Sequence, residues 1–352
     1  MAVSLKIELP SFFEVGENKI EKIFNILKSH DLKFKHILLM GDRKTFLIGG
    51  TPISKNFQKE NIKVTRHLVT NSDEANVMKV KRIITRKTPD LILGFGGGKV
   101  LDVAKLAAGE CKIKFISIPT TLSNDGISSP VSVIKGKNNI PVSHITTAPY
   151  GVIVDINIIK KAPIRHIKAG IGDLISNLSA VFDARLARSK GLEKVNDTAL
   201  SLAEAGALAL LEHKTDYIKD DDFLLTLTRG LIKSGFAMCI VGSSRPASGS
   251  EHKISHSIDH LYAPRKNLHG EQTGIATLFT MALQENQLLH RVKTLYSRVS
   301  FPRKIRKLYL NKDQFIKAVI EAVKIRPDRY TILEEKNLTR KDIIKLLQTT
   351  KL

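Results

Sequence analysis

Hydrophobic and polar positions alternate between two patterns over the first half of the chain. Residues 17–29, 74–87 and 98–109 place apolar side chains at helical spacing. Short, continuous apolar runs of strand length lie between and after these segments, at 36–40, 90–95, 114–119, 131–134 and 151–156. Buried strands that alternate with helices are typical of βαβ units, so the pattern predicts a parallel sheet.

The pattern changes after residue 163, beyond which apolar positions recur almost only at helical spacing. The predicted helices cover 171–190, 197–219, 222–241, 248–261, 271–290, 312–325 and 339–350. We therefore predict a Rossmann-like α/β dinucleotide-binding domain over residues 1–162 and an all-helical domain over residues 163–352. Since α/β sheets bind ligands at the carboxyl ends of their strands, we expect a ligand in a cleft between the two domains.

The composition is that of a folded protein rather than a disordered chain. Of the 352 residues, 42% are hydrophobic, which is enough for a core. No apolar run reaches the ~18 residues of a membrane helix and the N-terminal segment lacks a secretory signal, so we expect a cytoplasmic protein without a membrane anchor. Cys111 and Cys239 are too few for a disulfide framework or a zinc finger, and their apolar surroundings predict buried or semi-buried thiols.

The formal net charge of +22 raises two hypotheses, nucleic-acid binding and the steering of an anionic small substrate. The densest basic stretch, 290–307, has Tyr296 and Phe301 interleaved and could hold a phosphate backbone. The lysines are nevertheless spread along the whole chain, and no five-residue run is purely basic. We therefore favour a solvated surface over a nucleic-acid interface.

A glycine-rich loop follows the strand predicted at 90–95 and opens the helix predicted at 98–109. It contains Gly96, Gly97 and Gly98, followed by Lys99. Glycines at a helix N-terminus let backbone amides approach a phosphate group. The spacing fits neither the Rossmann fingerprint nor the Walker A loop, so the segment is either a pyrophosphate loop of another kind or a tight strand–helix turn.

Asp42 comes directly after the first predicted strand. A carboxylate at this place can accept from a ribose hydroxyl and favour NAD, whereas the neighbouring Arg43 and Lys44 could hold a 2′-phosphate and favour NADP. An ordinary strand-end turn is the other interpretation, and the sequence does not decide among them.

A second polar loop, 119–130, follows the strand predicted at 114–119 and is crowded with hydroxyl groups. Such groups can line a nicotinamide ribose or a sugar-like substrate. Asp125 stands among small uncharged residues, where a carboxylate can orient a substrate hydroxyl or relay a proton. The alternative is a plain turn, for which the Asn-Asp-Gly sequence is well suited.

One aspartate and three histidines in the second half have the chemistry of metal ligands. Asp173 lies at an otherwise apolar helix start, His252 and His256 share one helix face, and His269 lies further along. A carboxylate with two imidazoles suits a divalent transition metal, most often zinc, and leaves a coordination position open. From spacing alone, helix-capping or core histidines remain the competing interpretation.

Five ordered stretches resemble one known superfamily, which comprises the iron-type alcohol dehydrogenases, glycerol dehydrogenases and dehydroquinate synthases. Within it, the chain is most similar to the archaeal sn-glycerol-1-phosphate dehydrogenases. The matching stretches are GFGGGKVLDVAK (94–105), IPTTLSNDGISSPVSVI (118–134), AGIGDLISN (169–177), SRPASGSEHKISH (244–256) and LHGEQTGIAT (268–277). The resemblance covers nearly the whole chain and implies a dehydroquinate synthase-like fold.

The resemblance also implies a cofactor, a metal and a substrate. NADH or NADPH would be bound by residues of the two loops and the first strand end, namely Asp42, Gly96, Gly97, Gly98, Lys99, Val100, Leu101, Thr120, Thr121, Leu122, Ser123 and Ser129. Zn²⁺ would be bound by Asp173, His252 and His269, and the substrate would be contacted by Asp125, His256 and Asp173. Asp125 and His256 would be the catalytic residues.

The implied reaction is the reduction of dihydroxyacetone phosphate to sn-glycerol 1-phosphate, the backbone of archaeal membrane phospholipids. The resemblance further implies a homo-oligomer. Two alternatives remain, which are a glycerol dehydrogenase without a phosphate site and, from another class, a basic nucleic-acid-binding protein that holds no metal.

Overall fold

The computed structural model describes residues 8–136, 139–264 and 266–352. Residues 1–7, on which the expectation about a secretory signal partly rests, lie outside the described part. The chain forms two compact units, one of residues 1–122 with 126–163 and one of residues 123–125 with 164–352. The three residues Ser123–Asp125 thus group with the second unit, although they follow a strand of the first.

A six-stranded parallel sheet in the order β1-β8-β5-β4-β2-β3 is the centre of the first unit. A separate antiparallel pair, β6 and β7, lies outside it. The strands are β1 Phe12–Gly16, β2 His36–Gly41, β3 Lys63–Leu68, β4 Leu91–Gly96, β5 Phe115–Pro119, β6 Val131–Lys135, β7 Pro141–Ile145 and β8 Gly151–Asp155. The predicted parallel sheet is confirmed, but the strand predicted at 131–134 belongs to the antiparallel pair.

The four inner strands are buried along their whole length, which is why they appear in the sequence as continuous apolar runs. The two edge strands, β1 and β3, are partly exposed and carry mixed side chains, so the search for apolar runs missed both. β4 and β5 are parallel neighbours, with Gly96 opposite Pro119. The glycine-rich loop and the hydroxyl-rich loop therefore leave the sheet side by side.

Helices complete the first unit around this sheet. They are α1 Ile23–Ser29, α2 Arg43–Thr45, α3 Thr51–Lys59, α4 Glu74–Lys87, α5 Gly98–Glu110 and α6 Ile156–Lys160. The helices predicted at 74–87 and 98–109 correspond to α4 and α5. The helix predicted at 17–29 begins only at Ile23, after a stretch of turns.

The second unit is entirely helical over its described residues. Its helices are α7 Ile164–Ser189, α8 Asp197–Glu212, α9 Asp221–Val241, α10 Ser250–Tyr262, α11 His269–Leu283, α12 Leu289–Arg298, α13 Lys312–Ala322, α14 Ile332–Lys336 and α15 Arg340–Thr350. The segment predicted as one helix at 271–290 is two helices, because Glu285 adopts a left-handed conformation after α11. The helix predicted at 197–219 ends at Glu212, where the following His213 is extended.

Glycines let α7 and α11 pack at very short range. A Cβ atom at Gly270 would lie 1.9 Å from the carbonyl oxygen of Ala169, and one at Gly172 would lie 2.1 Å from the carbonyl oxygen of Gly270. Only hydrogen fits at these two positions. The contact matters for function because Asp173 and His269 are the chain neighbours of these glycines.

Among the described residues, one helix is long and apolar enough to cross a membrane by length and composition, namely α9. Of its most apolar window, 61% is buried inside the protein, and core helices pass the same test. The two cysteines are free, with Cys239 buried and Cys111 half-buried, which confirms the prediction for both thiols.

Candidate metal and cofactor sites

Three predicted ligands from three different helices come together in the second unit. Asp173 lies within α7, His252 in the first turn of α10, and His269 is the first residue of α11. One ligand atom from each residue lies within 4.8 Å of the other two. His269 Nε2 lies 3.6 Å from Asp173 Oδ1. The structure thus gathers residues that are far apart in the sequence into one cluster.

Hydrogen bonds fix the orientation of the His252 ring. Its Nδ1 lies 2.8 Å from Glu251 Oε1, and a carboxylate accepts, so Nδ1 carries the proton. The Glu251 side chain is fully buried and is itself held by the backbone amide of Gly249 at 2.7 Å. The Nε2 lone pair of His252 is therefore left for another partner, as in carboxylate–histidine pairs behind metal ions.

The ring of His269 is oriented in a similar way by a hydroxyl group. Ser255 Oγ donates to Gln272 Oε1 at 2.6 Å, so its single proton is committed. The same oxygen lies 3.3 Å from His269 Nδ1 and acts there as the acceptor. Gln272 is fixed in turn through its Nε2, which donates to Asp259 Oδ1 at 2.9 Å. Both histidines thus present Nε2 without a proton.

The electrostatics of the cluster favour neutral imidazoles. Burial, with smaller contributions from nearby positive groups, lowers the pKa of His252 and of His269 to about 3. Burial also raises the pKa of Asp173 well above its ordinary value, and the neighbouring Asp125 carboxylate adds to this effect. A buried carboxylate beside two neutral imidazoles lacks a compensating cation, which a metal ion would supply.

The chemistry of this donor set fits a divalent transition metal. It offers one carboxylate oxygen and two imidazole nitrogens, each held by a further hydrogen bond. Three protein ligands leave at least one position for a water molecule or a substrate, as in catalytic sites. The residues present therefore fit Zn²⁺ or Fe²⁺.

Asp125 and His256, the predicted catalytic residues, lie beside the cluster. The backbone amide of Asp125 donates to Asp173 Oδ2 at 2.9 Å, and Ser234 Oγ donates to Asp125 Oδ2 at 2.8 Å. The ring centroid of His256 lies 6.1 Å from that of His252 and 5.9 Å from that of His269. Burial lowers the pKa of His256 well below its ordinary value, so this ring is neutral too.

The predicted cofactor residues of the first unit cluster at the carboxyl ends of β2, β4 and β5. Thr120 donates its backbone amide to the carbonyl oxygen of Gly96 at 3.0 Å, which joins the two loops. Gly97 is the N-cap of α5 and has no side chain that caps the first turn. The amides of Val100 and Leu101 donate to the carbonyl oxygen of Gly97, so the amides of Gly98 and Lys99 are the ones available to an anion.

Two of the predicted cofactor residues, Thr121 and Ser129, have a buried hydroxyl group without a hydrogen-bond partner. Thr121 Oγ1 would lie 3.3 Å from a Cβ at Gly97, so the glycine-rich loop passes directly beside it. Orphaned polar atoms beside a glycine-rich turn fit a bound polar ligand such as a dinucleotide.

Other predicted cofactor residues lie at positions that suit a contact with the cofactor less directly. Val100, Leu101 and Leu122 are buried in the core, so only their backbone groups can reach a ligand. Ser123 groups with the second unit. Asp42 serves as the N-cap of α2, where it accepts the backbone amide of Thr45 at 3.0 Å.

Asp42 also meets the glycine-rich loop. Its Oδ2 lies 3.2 Å from Lys99 Nζ. Burial raises the pKa of Asp42, but the Thr45 amide and Lys99 outweigh it, so the pKa is lowered overall. A ribose hydroxyl would therefore meet an ionised carboxylate that is paired with a lysine.

Sequence reasoning missed the residues that support the ligands, chiefly Glu251, Ser255, Gln272 and Ser234. Glu251 directly precedes His252, and this adjacency is a signal that could have been used. The other three are placed by tertiary packing, for which the sequence gives no local signal.

The two aromatic residues of the basic stretch 290–307 are not exposed at the protein surface. Tyr296 and Phe301 are buried and stacked on each other, with ring centroids 4.1 Å apart. They are therefore not available to stack on nucleic-acid bases.

Comparison with known proteins agrees with this picture. The family profile described as iron-containing alcohol dehydrogenase matches residues 14–163. A probable glycerol dehydrogenase from Sinorhizobium meliloti has a similar fold, with a TM-score of 0.79 at 20% identity over 99% of both chains. The fold is thus that of the iron-type alcohol dehydrogenases and glycerol dehydrogenases.

Sequence comparison identifies a family within this class of dehydrogenases. The glycerol-1-phosphate dehydrogenase (NAD(P)+) of Nitrosopumilus maritimus is 38% identical over 98% of this chain and 96% of its own length. The enzyme of the same description from Archaeoglobus fulgidus is 37% identical over 98% of both chains. The chain belongs to the glycerol-1-phosphate dehydrogenase family.

Proposed function

We propose that this protein catalyses the NAD(P)H-dependent reduction of dihydroxyacetone phosphate to sn-glycerol 1-phosphate. The observation that carries the proposal is the convergence of Asp173, His252 and His269 in a chain that matches glycerol-1-phosphate dehydrogenases from end to end. The product would serve as the backbone of archaeal membrane phospholipids, and we place the enzyme in the cytoplasm as a homo-oligomer.

Asp173, His252 and His269 would hold the metal ion, which we propose to be Zn²⁺. When bound, it supplies a Lewis acid that withdraws charge from the substrate oxygen, worth several kcal/mol in such reactions. The protein's own contribution is to keep both imidazoles neutral and to aim their Nε2 atoms, through Glu251 and Ser255. The amide of Asp125 holds the Asp173 carboxylate in place.

Asp125 and His256 would orient the substrate and manage its proton. Ser234 donates to one oxygen of Asp125, which fixes the carboxylate that would contact a substrate hydroxyl. His256 is kept neutral by burial and would relay a proton by accepting it at one ring nitrogen while the other ring nitrogen releases one. Both residues lie beside the ligand cluster, where the carbonyl group would be held.

The loops after β4 and β5 would bind the dinucleotide, which when bound supplies hydride from its reduced nicotinamide. The free amides at the start of α5 would meet the pyrophosphate, together with Lys99. Thr121 and Ser129 would give their unpartnered hydroxyl groups to the cofactor. Asp42 would accept from the ribose.

The test is an assay of the purified, zinc-loaded protein with NADH or NADPH, followed by the near-ultraviolet absorbance of the reduced cofactor. Dihydroxyacetone phosphate is the substrate, and dihydroxyacetone is the control. We expect oxidation of the cofactor with the phosphorylated ketone and far less with the control. Equal or faster turnover of dihydroxyacetone would instead make the protein a glycerol dehydrogenase.

A further inference from the structure

Two arginines from the segment between α13 and α14 meet at the turn that precedes α10, the helix that carries His252. Arg326 donates to Ser244 Oγ at 2.9 Å and to Ser248 Oγ at 3.2 Å. Arg329 donates to the same Ser244 Oγ at 3.0 Å and to the carbonyl oxygen of Ser248 at 3.2 Å. Two guanidinium groups that share one hydroxyl oxygen must lie within a few ångströms of each other.

The arginine pair, Arg326 and Arg329, lies close to the proposed metal ligands. Burial is the main cause of the lowered pKa of His252, His256 and His269, but Arg326 contributes to all three shifts. Arg329 contributes to the shifts of His252 and His256. Hydrogen bonding places the pair beside α10, because Lys253, the residue after His252, donates its Nζ to the carbonyl oxygen of Arg329 at 3.0 Å.

The carboxylates of Asp328 and Glu193 offset the positive charge around Arg329 only in part. The Arg329 guanidinium donates to the neutral oxygens of Ser244 and Ser248. The nearby carboxylate of Glu193 is committed to Arg245, with Oε2 2.6 Å from its Nε. Burial, together with Arg326 and Arg245, lowers the pKa of Arg329 to about 10.

Both arginines are nevertheless only partly buried, so solvent still reaches them. Holding two like charges together in a half-buried place costs free energy that a bound anion would offset. A phosphate group is a suitable anion because guanidinium groups donate to it in a bidentate manner.

We propose that Arg326 and Arg329 bind the phosphate group of the substrate and thereby select a phosphorylated ketone over its unphosphorylated form. This inference rests on the proposed function, since it assumes a three-carbon substrate whose carbonyl end lies at Asp173, His252 and His269. The carbonyl and the phosphate of such a molecule are separated by a single carbon and an ester oxygen. The phosphate must therefore bind within a few ångströms of the ligand cluster, and both arginines are anchored at Ser248, four residues before His252.

The phosphate groups of the cofactor are the other source of the same chemistry. The residues suited to them, Lys99 and the first turn of α5, belong to the first unit. The arginine pair lies with the histidines of the second unit, which favours the substrate. The Michaelis constant for NADH or NADPH separates the two sources, because only a cofactor site would change it.

The experiment compares Arg326→Gln and Arg329→Gln with the unchanged protein, and Lys324→Gln serves as the control. Lys324 lies in the same segment but is exposed and paired with Glu321 at the surface. Losing a charged hydrogen bond to phosphate should raise KM for dihydroxyacetone phosphate about ten- to hundred-fold. The KM for the cofactor, the zinc content and the slow turnover of dihydroxyacetone should stay unchanged.

Inorganic phosphate provides a second measurement that does not require turnover. It should inhibit the unchanged protein competitively with dihydroxyacetone phosphate and bind in calorimetry, and both effects should weaken in the two glutamine variants. Arg329→Lys keeps the charge and loses the bidentate geometry, so it should recover part of the phosphate affinity.

Several results would overturn the inference. These are an unchanged KM for dihydroxyacetone phosphate, a raised KM for the cofactor alone, or an equal loss of activity with both ketones, since the last indicates structural support. Failure of the proposed function would look different, because the unchanged protein would then reduce no phosphorylated ketone at all. Phosphate calorimetry would still test the arginine pair in that case.

Discussion

The clustered histidines His252, His256 and His269 illustrate how strongly burial controls protonation. An ordinary histidine has a pKa of 6.5, but that of His252 and of His269 is lowered to about 3. The sign follows from desolvation, because a buried imidazolium lacks hydration and so gives up its proton more readily. The rings are therefore neutral at every pH at which the protein would work, which is the state that metal ligands need.

This predicts a flat titration for the two rings in the metal-free protein. Between about pH 8 and pH 5, the ring nitrogen signals of His252 and His269 in long-range NMR correlation spectra should not move, because both pKa values lie below that window. Single replacements by alanine assign the signals. A titration midpoint near 6 for either ring would contradict the account.

Glu251 is the residue whose role can be tested most cleanly at this scale. Replacing it by glutamine keeps the size of the side chain but removes the charged acceptor for His252 Nδ1–H. We expect the affinity for zinc to fall about ten- to hundred-fold, as for other partners behind metal ligands. Competition with a chelator measures this loss.

The matched control for this change is Glu204→Gln, since Glu204 pairs with Arg185 in an exposed place. That variant should retain its metal. Equal metal affinity in Glu251→Gln and the unchanged protein would mean that Glu251 does not support His252.

The proposed ligand residues stand out in the sequence because their motifs are ordered and specific, and their role as ligands stays a prediction. The residues that orient them could not be predicted. Ser255 and Gln272 lie close together along the chain and look like ordinary helix residues, and only packing shows that they act on His269. Arg326 and Arg329 carried no signal at all, because their position beside the histidines depends on the tertiary fold.

At the scale of elements, helix packing positions the proposed metal ligands. Asp173 is on α7 and His269 begins α11, and these helices touch through glycine backbones. An added methyl group there cannot be accommodated by a flexible side chain, since the nearest atoms are backbone. The distance between the two ligands therefore depends on glycine at positions 172 and 270.

Gly270→Ala should consequently damage stability and metal binding together. The new Cβ would lie 1.9 Å from the carbonyl oxygen of Ala169, so α11 must move away from α7. Overpacking of this kind costs about 1–3 kcal/mol, which thermal denaturation would detect. Zinc affinity should fall as well, because His269 moves with its helix. A variant with unchanged stability and full zinc content would show that the helix contact is not needed.

Helices and strands were predicted correctly where their residues are uniformly buried. The apolar pattern predicted the inner strands and the long helices of the second unit. It did not predict the edge strands β1 and β3, because both are partly exposed. The strand at 131–134 shows a second limit. Its local pattern indicated a strand but not its partner, and it pairs with β7 in an antiparallel manner.

At the scale of the whole molecule, the net charge of +22 would attract the proposed substrate, which is an anion. A positive protein attracts a phosphorylated ketone but not its neutral form. Raising the salt concentration to about 0.15 M, where the Debye length is about 8 Å, should lower kcat/KM for dihydroxyacetone phosphate several-fold. The value for dihydroxyacetone should change little. An equal response of both substrates to salt would exclude electrostatic attraction of the phosphate.

Family and fold were predicted correctly at this scale, because the motifs of both halves occur in the right order. The division at residues 162 and 163, the oligomeric state and the choice between NAD and NADP stay predictions. The grouping of Ser123–Asp125 with the second unit could not be foreseen from the chain, since these residues follow directly from β5 and Thr120.

The stereochemistry of the product is the most direct test of the central claim. The zinc-loaded protein would convert dihydroxyacetone phosphate with NADH or NADPH, and the glycerol phosphate formed would be offered to a dehydrogenase specific for sn-glycerol 3-phosphate. We expect no oxidation by that enzyme, because the product is sn-glycerol 1-phosphate. Complete oxidation would identify the opposite enantiomer and contradict the function proposed for this protein.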